Sequence, residues 1–307
     1  FSFLFTFCRK KLERPFVTTI HGSARAFQRE FLHSPLSCWN LGDFGNHIMK
    51  FPLNDFATKR CLINSDHAVI CSYTALNELR SYGTLKTEKT TVIYNGVNFG
   101  EIDDVGTDQE YGEADFSIIY AGRLVWTKGI TFLLKAFKIL KREMRDVNLK
   151  IFGSGPLERE IKKIILQSGL RGAVHFQSHM RHKDLMVEIK KSTVAVLPSL
   201  YEGQSMFALE AMACKKPLVV FDAPYSREIV LHMKNGVISK TYDCQDLSEK
   251  IELLLSDKKL RRKIGQNAYN YVKKEHNWDI QADKYVNVYH EIATPLNAST
   301  QKISTIA

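Results

Sequence analysis

Short apolar, β-branched runs alternate with helix-period segments along most of this chain, and that alternation restricts its fold more than any other feature. Such runs occupy residues 116–121, 149–152, 174–176, 193–198 and 218–221. They are continuous rather than alternately polar, as suits parallel strands buried on both faces. Between them the apolar spacing turns helical. Ile130, Leu133, Leu134, Phe137 and Leu140 make one clean face, opened by Lys128-Gly129. Further helices are expected at 183–191, 226–233, 247–255 and 258–274, with a last one from Asn277-Trp278 to about Ile292. The first half shows the same alternation more faintly. Strands are expected at 15–20, 67–71 and 91–94 and a helix at 74–82, while 24–64 yields only a helix before Asp66, from Phe56, Leu62 and Ile63.

Between Val97 and Asp115 no such run occurs. Asp103, Asp104, Gly106, Asp108, Glu110 and Gly112 make it polar and acidic, the best domain boundary in the chain. The expected fold class is therefore α/β, with two Rossmann-like doubly wound domains facing a cleft. The expected division is 1–112 for the first domain with its linker, 113–276 for the second, 277–293 for the final helix, and 294–307 for a polar tail without structure.

Composition narrows the partners. A chain of 307 residues can hold two cores. Cys8, Cys38, Cys61, Cys71, Cys214 and Cys244 show neither C-x-x-C nor Cys/His spacing, which favours buried thiols in a reducing, cytoplasmic compartment over disulfides or a zinc site. The net charge of +10 arises entirely after residue 112: residues 1–112 carry 12 Lys/Arg against 12 Asp/Glu, and 113–307 carry 31 against 21. Solvated helix faces account for most of it, as at Lys162-Lys163 and 258–263. The excess would also suit phosphate-bearing substrates or peripheral contact with an anionic membrane surface. No nucleic-acid module is present, and no basic stripe is interleaved with aromatics. The apolar start (Phe1, Phe3, Leu4, Phe5, Phe7) is too short to span a bilayer.

Chemistry concentrates after the run at 193–198. Tyr201-Glu202-Gly203-Gln204-Ser205-Met206 and the helix formers through Ala213 make a strand, a turn and a helix, which aims backbone N–H groups and a positive helix end above the sheet. Glu202 and Glu210 stand too far apart for an acid/base pair and suit opposite ends of an elongated, hydroxyl-rich ligand. Taken singly, each carboxylate could equally be solvated. Arg123 and Lys128, at a strand end and a helix start, suit a diphosphate. Gly153-Ser154-Gly155-Pro156 resembles a dinucleotide fingerprint, but Glu158 replaces its third glycine, which argues against a nicotinamide site. His21 ends the first strand, at the edge where ligands collect in open α/β sheets, though it could equally be a packed loop histidine.

Together, 120–124 with Lys128-Gly129, Gly153-Ser154-Gly155-Pro156, Glu202-Gly203, 210–213, His21-Gly22 and 93–97 resemble glycosyltransferase family 4, over roughly residues 14–290. These are retaining enzymes of the GT-B fold that use nucleotide-sugar donors, usually without metal or other cofactor. The resemblance implies transfer of a hexose-type sugar to a glycan or lipid-linked acceptor. Arg123 and Lys128 would hold the donor diphosphate, and Glu210 would bind the ribose hydroxyls. Glu202 and the backbone of Gly203, Gln204, Ser205 and Met206 would face the sugar and phosphates, with Gly122, Gly153 and Gly155 completing the donor site. His21 would reach the sugar from the first domain, and the final helix would cross back to that domain. The family often has Phe-Gly-Leu where this chain has Gln204-Ser205-Met206, and a glycine pair where it has Asp222-Ala223-Pro224. The family's first strand and glycine-rich loop are missing upstream, which implies an incomplete, N-terminally truncated first domain. A catalytically silent nucleotide-sugar-binding module, a sugar-nucleotide epimerase, a phosphorylase and, from charge alone, a DNA-binding protein stand as alternatives.

Overall fold

A computed structural model describes residues 14–23, 25, 28–29, 41–105 and 116–301. Two parallel sheets form two lobes. In the first, β1 (Val17–Ile20), β2 (His67–Ile70) and β3 (Thr90–Val92) lie in that order, with Ile20 opposite Ile70 and Ile70 opposite Val92. Helices α1 (Leu41–Asn64) and α2 (Tyr73–Arg80) precede and follow β2. The acidic stretch carries a short helix α3 (Phe99–Asp103), which the sequence did not suggest, and the Asn98 side chain caps it by accepting from Glu101 N–H at 3.3 Å. The remainder of that stretch, 106–115, lies outside the described residues, as do Cys8, Cys38 and the apolar start.

The second sheet is six-stranded among the described residues. Its strands are β4 (Phe116–Ala121), β5 (Val147–Phe152), β6 (Val174–Gln177), β7 (Val194–Leu197), β8 (Leu218–Phe221) and β9 (Val237–Ser239), in the spatial order β6-β5-β4-β7-β8-β9. The chain runs outward from β4 to β6, then returns to the other side of β4. That reversal opens a crevice beyond the carboxyl ends of β4 and β7. Helix α4 (Ile130–Glu143) covers the sheet with the face read from its sequence, and Ile130, Leu133, Leu134, Phe137 and Leu140 are all buried. Each such side chain contributes roughly 1.5–3 kcal/mol on leaving water. Then come α5 (Glu158–Gln167), α6 (His182–Lys191), α7 (Met206–Ala213), α8 (Pro224–Ile229), α9 (Cys244–Ser256), α10 (Lys258–Glu275) and α11 (Trp278–Gln301).

Two expected helix bounds need correction. The helix expected at 226–233 is α8, which starts at Pro224 and stops at Ile229. Asn235 ends it: its amide donates to Ile229 C=O at 3.1 Å and accepts from Leu231 N–H at 2.6 Å, while Met233 takes a left-handed φ of 61°. The tail expected to lack structure from Thr294 instead continues α11 to Gln301, with residues 302–307 outside the described ones. Extending an existing helix requires no new nucleus, and the helix runs on despite Pro295. Val288 of α11 is buried with Val69 and Ile93 of the first lobe. Cys61, Cys71 and Cys214 are buried thiols. Among the described residues no helix is long and apolar enough to cross a membrane.

Candidate active site

Beyond β4 the chain turns at Gly122, Arg123 and Leu124, and backbone bonds hold the turn. Gly122 N–H donates to Phe152 C=O at 3.0 Å, and Leu124 N–H to Ser154 C=O at 2.8 Å. The buried Tyr120 hydroxyl donates to Arg123 C=O at 3.2 Å. Gly153 and Gly155 sit behind this turn with φ of 145° and 157°. A Cβ on either would lie 1.9 Å from Gly122 C=O oxygen or 2.5 Å from that of Leu124. Only glycine allows so close an approach. The two glycines therefore support Arg123 from behind and line neither cavity described below, and Gly122 likewise shapes the turn. The Arg123 side chain is exposed and makes no ion pair among the described residues.

Lys128 ends the next turn. Gly129 follows in the left-handed region at φ 64°, and a Cβ there would meet Pro198 C=O oxygen at 1.9 Å. Lys128 Nζ donates to Glu202 Oε1, which also accepts from Ser199 Oγ at 2.8 Å. Lys128 and Glu202 are 14% and 8% exposed, so this pair is largely withdrawn from water. Removing one partner of a buried pair leaves the other uncompensated, a loss of about 3–5 kcal/mol.

The first lobe closes directly on this loop. A Cβ on Gly203 would fall 1.7 Å from His21 C=O oxygen. Ser72 Oγ donates to Gly203 C=O at 2.8 Å, and Ser23 N–H donates to the Tyr201 hydroxyl at 2.7 Å. Burial pushes the Tyr201 hydroxyl far above the usual tyrosine range, and nearby Glu78 adds to the effect. His21, Arg123, Lys128, Glu202, Gly203 and Gln204 thus line one interlobe cavity of about 470 Å³, within the range of small-molecule sites.

Glu210 does not share it. With Met206, Asn98, Glu101, His182 and Trp278 it lines a second cavity of about 250 Å³, and the loop 204–206 runs from one cavity to the other. His182 Nε2 lies 2.9 Å from Glu210 Oε1. Burial pushes the Glu210 carboxyl above the usual range, and His182 pulls against that. Ser205 lines neither cavity. Its hydroxyl caps α7, accepting from Ala208 N–H at 3.4 Å. The first N–H groups of that helix lack intrahelical partners, as at any helix start. Tyr201, His182, Ser72 and Asn95 were absent from the expected site. Tyr201 opens the motif without having been given a role there and Asn95 lies in the resembling stretch 93–97, but Ser72 and His182 carry no sequence signal.

Two parallel α/β lobes facing a basic cavity are the architecture of the GT-B glycosyltransferases. Sucrose-phosphate synthase from Thermosynechococcus elongatus superposes with a TM-score of 0.80 at 21% identity, over 96% of this chain and 72% of that one. Anabaena HepE, solved in complex with UDP and glucose, gives 0.74 at 19% identity, over 97% and 75%. The family described as "Glycosyl transferases group 1" matches residues 108–271, and this chain belongs to it. An uncharacterised glycosyltransferase of Methanocaldococcus jannaschii is 32% identical over 235 residues, 73% of this chain and 60% of its own length. Alpha-D-kanosaminyltransferase of Streptomyces kanamyceticus is 29% identical over 60% of this chain and 48% of its own. The chain thus spans about half to three-fifths of these two relatives.

Proposed function

We propose that this chain acts as a retaining glycosyltransferase of family 4, which moves a hexose-type sugar from a nucleoside-diphosphate sugar to a glycan or lipid-linked acceptor. The observation that carries this is one interlobe cavity in which Arg123, Lys128 and Glu202 of the second lobe meet His21 of the first. Cleavage of the bond between the anomeric carbon and phosphate oxygen leaves the electron pair on the nucleoside diphosphate and builds positive charge on the sugar. Lys128, held by Glu202, and the amide-lined turn at Gly203 are in place before that charge develops, and Arg123 stands on a turn held by backbone bonds, so little reorganisation is needed to stabilise it. Glu202 faces the electron-poor sugar, and His21 closes over it from the other lobe. Glu210, in the adjoining cavity, takes the ribose. Two cations supply the charge that the diphosphate needs, so the proposal includes no metal ion and no cofactor.

That Anabaena HepE was solved with UDP and glucose supports a donor of this class. A cytoplasmic location fits the buried thiols, and the basic excess would favour peripheral contact with an anionic membrane face. Turnover of a panel of nucleotide sugars tests the proposal. Arg123→Ala and Lys128→Ala, each confirmed as folded by a cooperative melting transition, lower kcat on the order of 10²–10³-fold, and Lys128→Ala also melts lower because Glu202 loses its buried partner. Near-normal kcat in both folded variants would refute the assigned roles.

A further inference from the structure

Gln204 stands where the resembling family often carries phenylalanine, and its amide meets two other parts of the chain. Asn95 N–H donates to Gln204 Oε1 at 2.5 Å, and Gln204 Nε2 lies 3.3 Å from His276 Nδ1. That same Nδ1 is 3.3 Å from Asn95 C=O. Three groups from distant parts of the chain therefore meet here: the end of the first sheet, the loop before α7, and the turn between α10 and α11. His276 is wholly buried, with its ring 4.8 Å from that of Tyr94 and 5.5 Å from that of Tyr271. Its C=O accepts from Val97 N–H at 2.7 Å, and a Cβ on Gly96 would lie 2.7 Å from Trp278 Cα. Residues 95–97 and 276–278 thus form one unit, and Gln204 docks onto it.

The neighbours of Gln204 are fixed as firmly. Gly203 C=O accepts from Ser72 Oγ of the first lobe, and Ser205 caps α7 of the second. Burial pushes His276 down to about 4, against the pull of Asn95 C=O, Glu275 and Glu228, while Lys284 acts with burial. Tyr94 and Tyr271 face the same ring and are themselves pushed above the usual tyrosine range by burial. A neutral imidazole has one proton to place. Nδ1 either donates to Asn95 C=O or accepts from Gln204 Nε2, and both tautomers leave Gln204 Oε1 on the Asn95 N–H. Parting the lobes would strip Gln204 Oε1 and the Asn95 N–H of each other, and a low-dielectric interface penalises orphaned polar groups.

We propose that Gln204 and His276 are positioning residues which, with Asn95, register the donor-side loop against the first lobe so that His21 and Glu202 face the same sugar. This rests on the glycosyltransferase function proposed above.

The test uses the full chain with Gln204→Met, which keeps the bulk but removes the amide, and Gln204→Glu, which keeps an acceptor for Asn95. Amide exchange at Asn95, kcat, and calorimetric affinity for UDP are measured together. In Gln204→Met, Asn95 exchange speeds up about tenfold or more and kcat falls at least as far, the scale of one lost hydrogen bond. UDP affinity stays within about threefold, since the cations that hold the diphosphate are untouched. Gln204→Glu restores Asn95 protection and part of kcat. Unchanged Asn95 exchange in Gln204→Met would overturn the proposal. So would a UDP affinity that falls in step with kcat, since that would make Gln204 a donor ligand. A wild-type chain that binds UDP but transfers nothing would refute the transferase function itself, and Asn95 exchange would then decide whether the clamp exists.

Discussion

Replacing Gly203 by alanine probes the contact on which the site's geometry depends. The added Cβ would lie 1.7 Å from the backbone oxygen of His21, whereas real Cβ contacts essentially never fall below 3.0 Å. The gap must widen by about 1.3 Å, and a backbone oxygen cannot rotate aside as a side chain could. Misplacement of about 1 Å between catalytic groups costs on the order of 100-fold in rate, or about 2.7 kcal/mol in barrier. The lobe carrying His21 then no longer registers with Glu202, while the turn that carries Arg123 stays anchored by the bond from Leu124 N–H to Ser154 C=O. Steady-state kinetics on the best donor should therefore show kcat down about 100-fold with UDP affinity within several-fold. Gly100→Ala is the comparator. Its Cβ would meet only the Asn98 side-chain oxygen, at 3.3 Å, and kcat should not change. A folded Gly203→Ala protein with kcat near wild type would show that the lobes do not meet at His21 and Gly203 during the reaction.

Two further outcomes follow from the lobe contact. His276 is pushed down to about 4 from an ordinary 6.5, so the unfolded chain binds its proton first on acidification. Its contribution to stability is complete above about pH 6.5 and is lost as the pH falls toward 4, on the order of 3 kcal/mol in all. His276→Phe should flatten that part of a denaturation series between pH 7 and 4, and an unchanged slope would contradict the assignment. Glu228 of α8 accepts from Tyr73 N–H at 2.7 Å, Thr74 N–H at 2.9 Å and Thr74 Oγ1 at 2.6 Å, which ties the start of α2 to the second lobe. Glu228→Ala should lower denaturant stability by about 1–3 kcal/mol and enlarge the radius seen by X-ray scattering, and an unaltered radius would count against a tie between lobes.

The second lobe was legible because its strands are buried on both faces, so their sequences are continuous apolar runs. β4 and β8 have the very bounds that those runs suggest. The donor-side loop was legible because Gly203, Ser205 and the helix formers after it encode a turn, a cap and a helix locally. What joins the lobes left no such trace. Ser72 meets Gly203 across 131 positions and Asn95 meets Gln204 across 109, and neither pairing alters local periodicity. His276 continues the spacing of Ile264, Ala268 and Val272 at the end of α10, so its burial follows from the helix, but nothing in the sequence marked Tyr94 or Asn95 as its partners. The separate placement of Glu210 was equally hidden, since its distance from Arg123 depends on how α6 and α7 lie above the sheet.

The most direct measurement is a crystal structure of the chain with bound UDP, or with whichever nucleoside diphosphate raises the melting temperature most. The pyrophosphate is expected within about 3.5 Å of the Arg123 guanidinium and Lys128 Nζ, with the ribose hydroxyls against Glu210. A nucleotide seated outside the interlobe cavity, or one whose phosphates touch neither cation, would contradict the account.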